Sequence, residues 1–263
     1  MRFFILISVL LFSLQSQATS NAGVDNLSMS ANQVLTATSP QHRVAMLELY
    51  TSEGCSSCPP ADRFISMLKQ AGVSNRQLIP LAFHVTYWDY IGWQDRFGNR
   101  TYDQRQRQQA RLNASSTVYT PQFMINGSDY RSRRNFSRDI SQVNAENAEV
   151  EIYMEVSRKT ASQLEVNVHT LQNNNGDHHL WVAVYENNLH SQVSKGENEG
   201  ELLRHDYVVR KLYGPYAVID EIDQFYTSVD LDSDWKLEDL GIVAFVQSTN
   251  SSEIMQATSL MLD

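Results

Sequence analysis

Two cysteines three positions apart, Cys55 and Cys58, constrain this chain more than any other feature of its sequence. They are its only cysteines, so a disulfide within the chain joins these two or none. A bridge closing so short a loop removes little entropy from the unfolded chain, which makes it an inefficient staple and points to chemistry instead. The run Val44-Ala45-Met46-Leu47-Glu48-Leu49-Tyr50 before the pair fits a buried strand, and Phe64, Ile65 and Leu68 after it have helical spacing. Pro59 and Pro60 suit a first helical turn, whose amide protons have no partner inside the helix. The pair is therefore expected at a strand-to-helix junction, where free N–H groups and the helix dipole favour a Cys55 thiolate.

The start of the chain reads as an address. Met1-Arg2, the apolar run Phe3 to Leu14 and the small-x-small Ser16-Gln17-Ala18 are expected to form a signal peptide over residues 1–18, followed by a flexible polar segment over 19–42. The expected location is periplasmic or secreted, an oxidising setting in which cysteines pair. No later stretch reaches the roughly 20 apolar residues of a membrane helix, so the processed chain is not expected to span a bilayer. A net charge of −9 and a pI near 5.2 argue against a nucleic-acid partner, because phosphate binding needs clustered Lys and Arg.

A second strand is expected over Leu78 to Val85, and a helix over Gln104 to Leu112. Further on, Val118-Tyr119-Thr120-Pro121-Gln122-Phe123-Met124-Ile125-Asn126-Gly127 places a proline at the start of a strand and Asn-Gly at its end, a hairpin signal. Strand, CxxC, helix, strand and Thr-Pro before a hairpin resemble the thioredoxin superfamily. The resemblance implies that Pro121 is cis and packs beside the cysteines, and that the Thr120 backbone docks a substrate chain. It also implies thiol–disulfide exchange, with Cys55 attacking and Cys58 resolving. Glu48 to Asp62, Tyr87 to Trp93 and Gly196-Glu197-Asn198-Glu199-Gly200 further resemble a family of secreted bacterial proteins, domain of unknown function 1223, over residues 43–263. That family implies a thioredoxin-like fold and export, and no established activity.

Other residues stand as candidates around the pair. Trp88, with Tyr90 and Trp93, lines a groove for an extended apolar peptide or packs in the core. His84 and Glu53 are accessory candidates; His84 is an acid/base group, a ligand for copper(I) beside both thiolates, or a hydrogen-bonded core residue. Arg100, Arg105, Arg107 and Arg111 form a solvated helix face or, with Arg131, Arg133 and Arg134, place positive charge near the thiolate. Past Ala148 the pattern changes to alternation, as in Val150, Ile152, Met154 and Val156. Strand signals at His179 to Glu186, Asp206 to Tyr213, Gly241 to Gln247 and Ile254 to Leu262 follow.

The expected fold is thus an α/β thioredoxin-like domain over 43–148, with a helical insertion, followed by an all-β antiparallel sandwich over 149–263. The Gly196 to Gly200 loop and His205 are read as a metal or substrate site, or as exposed turn chemistry. The expected activity is that of an exported thiol–disulfide oxidoreductase acting on protein thiols or disulfides, with no cofactor and no metal residues assigned. A copper chaperone using Cys55, Cys58 and His84, and a binding module with a permanently closed bridge, are the alternatives.

Overall fold

The computed structural model describes residues 33–173 and 176–262. The segment read as a signal peptide and residues 19–32 of the flexible segment lie outside them; of the remainder of that segment, Val34–Thr38 form a strand, β1. Strand β2 (Ala45–Thr51) leads through the cysteines into helix α1 (Pro59–Gln70), and β3 (Leu78–His84) runs parallel to β2. Helix α2 (Arg100–Leu112) begins before the expected Gln104, because Asn99 caps it by accepting from the Thr101 amide at 2.9 Å. Strands β4 (Gln122–Ile125) and β5 (Ser128–Asp129) make the expected hairpin, with Asn126 and Gly127 both at positive φ as a tight two-residue turn requires. Only glycine fits at 127: a Cβ there would stand 1.8 Å from the Ser252 carbonyl oxygen.

After α3 (Phe136–Val143) the chain is almost entirely strand: β6 (Val150–Thr160), β7 (Gln163–Gln172), β8 (His178–Glu186), β9 (Leu189–Gln192), β10 (Leu202–His205), β11 (Val208–Val218), β12 (Ile222–Asp230), β13 (Leu240–Ser248) and β14 (Ile254–Met261). These do not close into a separate sandwich. The expectation of an α/β thioredoxin-like domain followed by an antiparallel sandwich is overturned by the sheet topology and by a content of 45% strand against 18% helix. One mixed eight-stranded sheet runs β14-β13-β8-β11-β3-β2-β4-β5, and a four-stranded antiparallel sheet runs β1-β6-β7-β12.

The link is at β11, which pairs antiparallel with β8 and parallel with β3 through Val208 and Ala82. The Ala82 amide donates to the Tyr207 carbonyl at 2.8 Å. Pro80 of β3, which lacks a donor, sits where that second neighbour has not yet joined.

Packing explains why the sheet continues. Along β8, Leu180, Val182 and Val184 enter the core shared with β6 and β7, while Ala183 and Tyr185 enter the core shared with β2, β3, α1 and α2. Strand β13 does the same with Ile242, Ala244 and Val246 on one side and Val243 and Phe245 on the other. Because strand side chains alternate, a strand apolar at successive positions is one covered on both faces. The near-continuous apolar runs of β8 and β13 therefore demand a layer on each side, which a lone two-sheet sandwich does not supply.

Candidate functional site at the Cys55–Cys58 loop

Cys55 and Cys58 are joined by a disulfide, and Cys58 is the residue that caps the start of α1. The turn is tight: the Cys58 amide donates to the Cys55 carbonyl at 3.1 Å, and the Cys58 carbonyl accepts from Ala61 and Asp62 at 2.8 and 3.1 Å. Ser56 and Ser57 project into solvent, whereas Cys55 is only 1% exposed and Cys58 is fully buried.

Several expected neighbours converge here. The Thr120–Pro121 peptide is cis, and Pro121 shares with Ser57, Pro60 and Phe123 the lining of a cleft of about 520 Å³. Trp88 ties the two sides together. Its Nε1 donates to the Thr120 hydroxyl at 2.6 Å, and its backbone and Cβ approach so closely that a side chain at Gly54 would meet them at 3.2 to 3.3 Å. Tyr90 stacks against Trp88 and is 81% exposed, which leaves an aromatic face open to solvent. Trp93 does not join that face; its Nε1 donates to Glu53 Oε2 at 2.9 Å.

The Gly196 to Gly200 loop is not merely an exposed turn. Asn198 is buried, and its Nδ2 donates to the Glu53 and Cys55 carbonyls at 2.8 and 3.1 Å. Glu197 Oε2 accepts from the Ser56 amide at 3.1 Å and the Ser56 hydroxyl at 2.7 Å. Those bonds, the hydroxyl's first, hold the Glu197 carboxyl below its ordinary range, so this clasp is in place at neutral pH and opens as pH falls through the lowered value. Gly196 packs at positive φ against Ile91 and Trp93. The three segments Glu48 to Asp62, Tyr87 to Trp93 and Gly196 to Gly200 are thus one spatial unit.

This clasp yields a prediction. Removing Asn198 takes the donor away from two carbonyls of the cysteine loop, and an unmade buried hydrogen bond costs about 1–3 kcal/mol. Asn198→Ala should speed reduction of the bridge by dithiothreitol roughly tenfold, the equivalent of about 1.4 kcal/mol. An unchanged rate would show that the loop does not restrain the bridge.

Behind the cysteines lies a buried polar cluster that no motif announces. His84 Nδ1 meets Asp95 Oδ2 at 2.7 Å, and the same carboxylate oxygen accepts from the Glu53 amide at 2.8 Å. Burial opposes a charge on His84, but the adjacent Asp95 carboxylate outweighs it and the pKa rises to about 9. Asp95 feels the same contest in reverse: burial pushes it up, and His84 brings it below the usual carboxylate range. Glu53 is likewise lowered, with the His205 imidazole beside it overcoming burial, whereas Asp62 is raised because burial prevails. His205 Nε2 lies 3.3 Å from Glu53 Oε1, and His205 Nδ1 lies 3.9 Å from Asp62 Oδ2. His205 had a legible signal: in Leu202-Leu203-Arg204-His205 it follows Leu203 by two, on the same buried face of β10.

The expectation about the arginine charges fails at Arg105. Arg105 is not on a solvated face and is not beside the cysteines. It is buried, and its Nε and Nη2 donate to Glu48 Oε1 at 2.8 and 2.6 Å, so that carboxylate consumes its charge. Arg133 does line the Pro121 cleft, packed over Phe64 and Phe123. Among the described residues, the groups that gather around His84 at ligand spacing are Asp62 and His205, while Cys55 and Cys58 are bridged to each other.

The family described as "Protein of unknown function (DUF1223)" matches residues 46–247. The chain belongs to this family. A crystal structure of a structural-genomics target protein from Agrobacterium tumefaciens is similar to this DUF1223 protein at 24% identity and a TM-score of 0.58, covering 85% of this chain and 97% of that one. HBP35 of Porphyromonas gingivalis is similar at 14% identity and a TM-score of 0.66, covering 86% of this chain and 77% of the other. At these identities the likeness concerns the fold alone. No curated protein matches the chain.

Proposed function

We propose that this DUF1223 protein is an exported thiol–disulfide oxidoreductase acting on protein thiols or disulfides in the periplasm or outside the cell. The observation that carries the reading is the placement of the Cys55–Cys58 bridge: it opens α1, and its Ser56-Ser57 linker projects into solvent beside a cleft lined by Ser57 and Pro121. Free N–H groups of a helix's first turn stabilise a thiolate formed there.

In the reduced protein the Cys55 thiolate attacks one sulfur of a substrate disulfide. A Cys55–substrate bond forms and one substrate thiolate leaves. Cys58, deprotonated, then attacks Cys55 Sγ, closing the bridge and releasing the second substrate thiolate, so the substrate is reduced and the protein oxidised by the same two electrons. Run backwards, the sequence oxidises a substrate dithiol. Thr120, held by Trp88, offers its backbone to the docking chain, and the exposed Tyr90 ring and Phe123 supply apolar contact.

One observation favours a second reading, a binding module whose bridge stays closed: Cys55 is 1% exposed beneath the Asn198 clasp. Equilibration of the purified protein with defined glutathione mixtures separates the two. A catalytic bridge should titrate well above about −300 mV, the range below which structural disulfides resist the glutathione pool. A value below that limit would refute the oxidoreductase reading.

A further inference from the structure

We propose that Asp62, His84 and His205 form a binding site for one divalent transition cation of borderline softness, best matched by zinc(II). The proposal does not rest on the redox reading. The three residues come from the first turn of α1, the end of β3 and the end of β10, and they offer ligand atoms that all lie within 4.8 Å of one another. They are 6%, 0% and 2% exposed, respectively.

The orientation of the two imidazoles carries the argument. Each presents one nitrogen to a carboxylate, His84 Nδ1 to Asp95 and His205 Nε2 to Glu53. His84 Nε2 and both nitrogens of His205 are buried and have no hydrogen-bond partner, the 3.3 Å approach of His205 Nε2 to Glu53 Oε1 being an ion-pair contact without hydrogen-bond geometry. Buried imidazole nitrogens without a partner are rare, because each forfeits the hydration it had in the unfolded chain. His205 Nδ1 stands 3.9 Å from Asp62 Oδ2, too far for a hydrogen bond. Two ligands of a tetrahedral ion, each about 2.0–2.2 Å from it, stand roughly 3.4 Å apart, so a small inward adjustment places a cation between them.

A carboxylate hydrogen-bonded behind an imidazole, as Asp95 is behind His84 at 2.7 Å, orients a metal-binding histidine and strengthens it as a donor, and Glu53 stands 3.3 Å from His205 on the corresponding side. Two imidazoles and a carboxylate suit zinc, and three protein ligands leave a fourth position open. Two of the three residues, Asp62 and His205, line a cleft of about 400 Å³ between the start of α1 and the segment running to β10. Glu197, Glu199 and Glu201 line the same cleft together with Arg63 and Arg204, so acidic side chains outnumber basic ones around it.

The test uses oxidised, chelator-washed protein titrated with Zn²⁺ by calorimetry and with Co²⁺ by optical absorption. One equivalent should bind, Co²⁺ should show four-coordinate ligand-field bands without thiolate charge transfer, and two histidines should give paramagnetically shifted imidazole resonances. The last two readouts need no substitution. His205→Gln and Asp62→Asn should each weaken binding at least tenfold, and Asp95→Asn by about 10–100-fold, the usual cost of losing the group behind a ligand. The Cys55→Ser/Cys58→Ser double variant should bind as the wild type does. Absence of stoichiometric binding to the folded wild type, indifference to His205→Gln, or a thiolate band in the Co²⁺ spectrum would overturn the site.

Discussion

Arg105→Ala should lower the free energy of unfolding by about 3–5 kcal/mol, the range found when one partner of a buried ion pair is removed. Arg105 and Glu48 are 5% and 1% exposed at their side chains. The guanidinium donates twice to Glu48 Oε1 and once, at 3.2 Å, to Gln247 Oε1, while Gln109 Nε2 approaches the other Glu48 oxygen at 3.3 Å. Its carbon lies 5.1 Å from the ring centres of both Trp181 and Phe245. The interaction thus fastens α2 to β2 and β13, elements far apart in the chain. Truncating Arg105 strands a carboxylate in the core, and the large cost comes from that stranded charge rather than from the lost attraction.

Two comparisons sharpen the expectation. Exposed Arg111→Ala should stay within about 0.5 kcal/mol of the wild type, as surface substitutions do. The paired change Arg105→Met/Glu48→Leu should cost less than Arg105→Ala alone, since it leaves no charge behind. Urea titration of the three variants measures all of this, and a loss below about 1 kcal/mol for Arg105→Ala would show that Glu48 finds water or another partner.

Cys55→Ala should abolish thiol–disulfide exchange, a fall of three orders of magnitude or more, on the scale of losing an essential nucleophile. Cys58→Ala should behave differently. It retains the attacking sulfur and lacks the resolving one, so it should accumulate one equivalent of mixed disulfide with a disulfide-bonded peptide, visible as an added mass that dithiothreitol removes. Equal inactivity of the two variants with no adduct on Cys58→Ala would contradict the assigned order of attack. Stability alone does not distinguish them, because a ring this short contributes only about 2 kcal/mol by loop entropy and both variants open it.

The local features of the site were legible because they are written in adjacent residues. The strand before the cysteines, the prolines that start α1, and the Asn126-Gly127 turn each follow from backbone preferences that need no distant partner. The segments around Cys55, Trp88 and Gly196 were legible as motifs, but their convergence was not: Asn198 and Glu197 reach the cysteine loop from far along the chain, and an Asn in a Gly-bounded loop carries no sign of what it will clasp. Arg105 misled for a similar reason. One arginine among several on a helix reads as surface until Glu48 is found inside the core to receive it.

By itself, the sequence determined that strands flank the cysteine pair, which faces of the later strands are apolar, and that the pair would sit at a helix start, because short-range sterics and side-chain alternation act within a few residues. Only the tertiary structure decided that β11 joins β8 to β3 in one continuous sheet, and that Glu53, Asp62, His84, Asp95 and His205 share a single buried space. Backbone hydrogen bonds between strands are nearly blind to side-chain identity, and an isolated histidine or carboxylate looks alike wherever it stands. Their partners are therefore chosen by how whole layers pack.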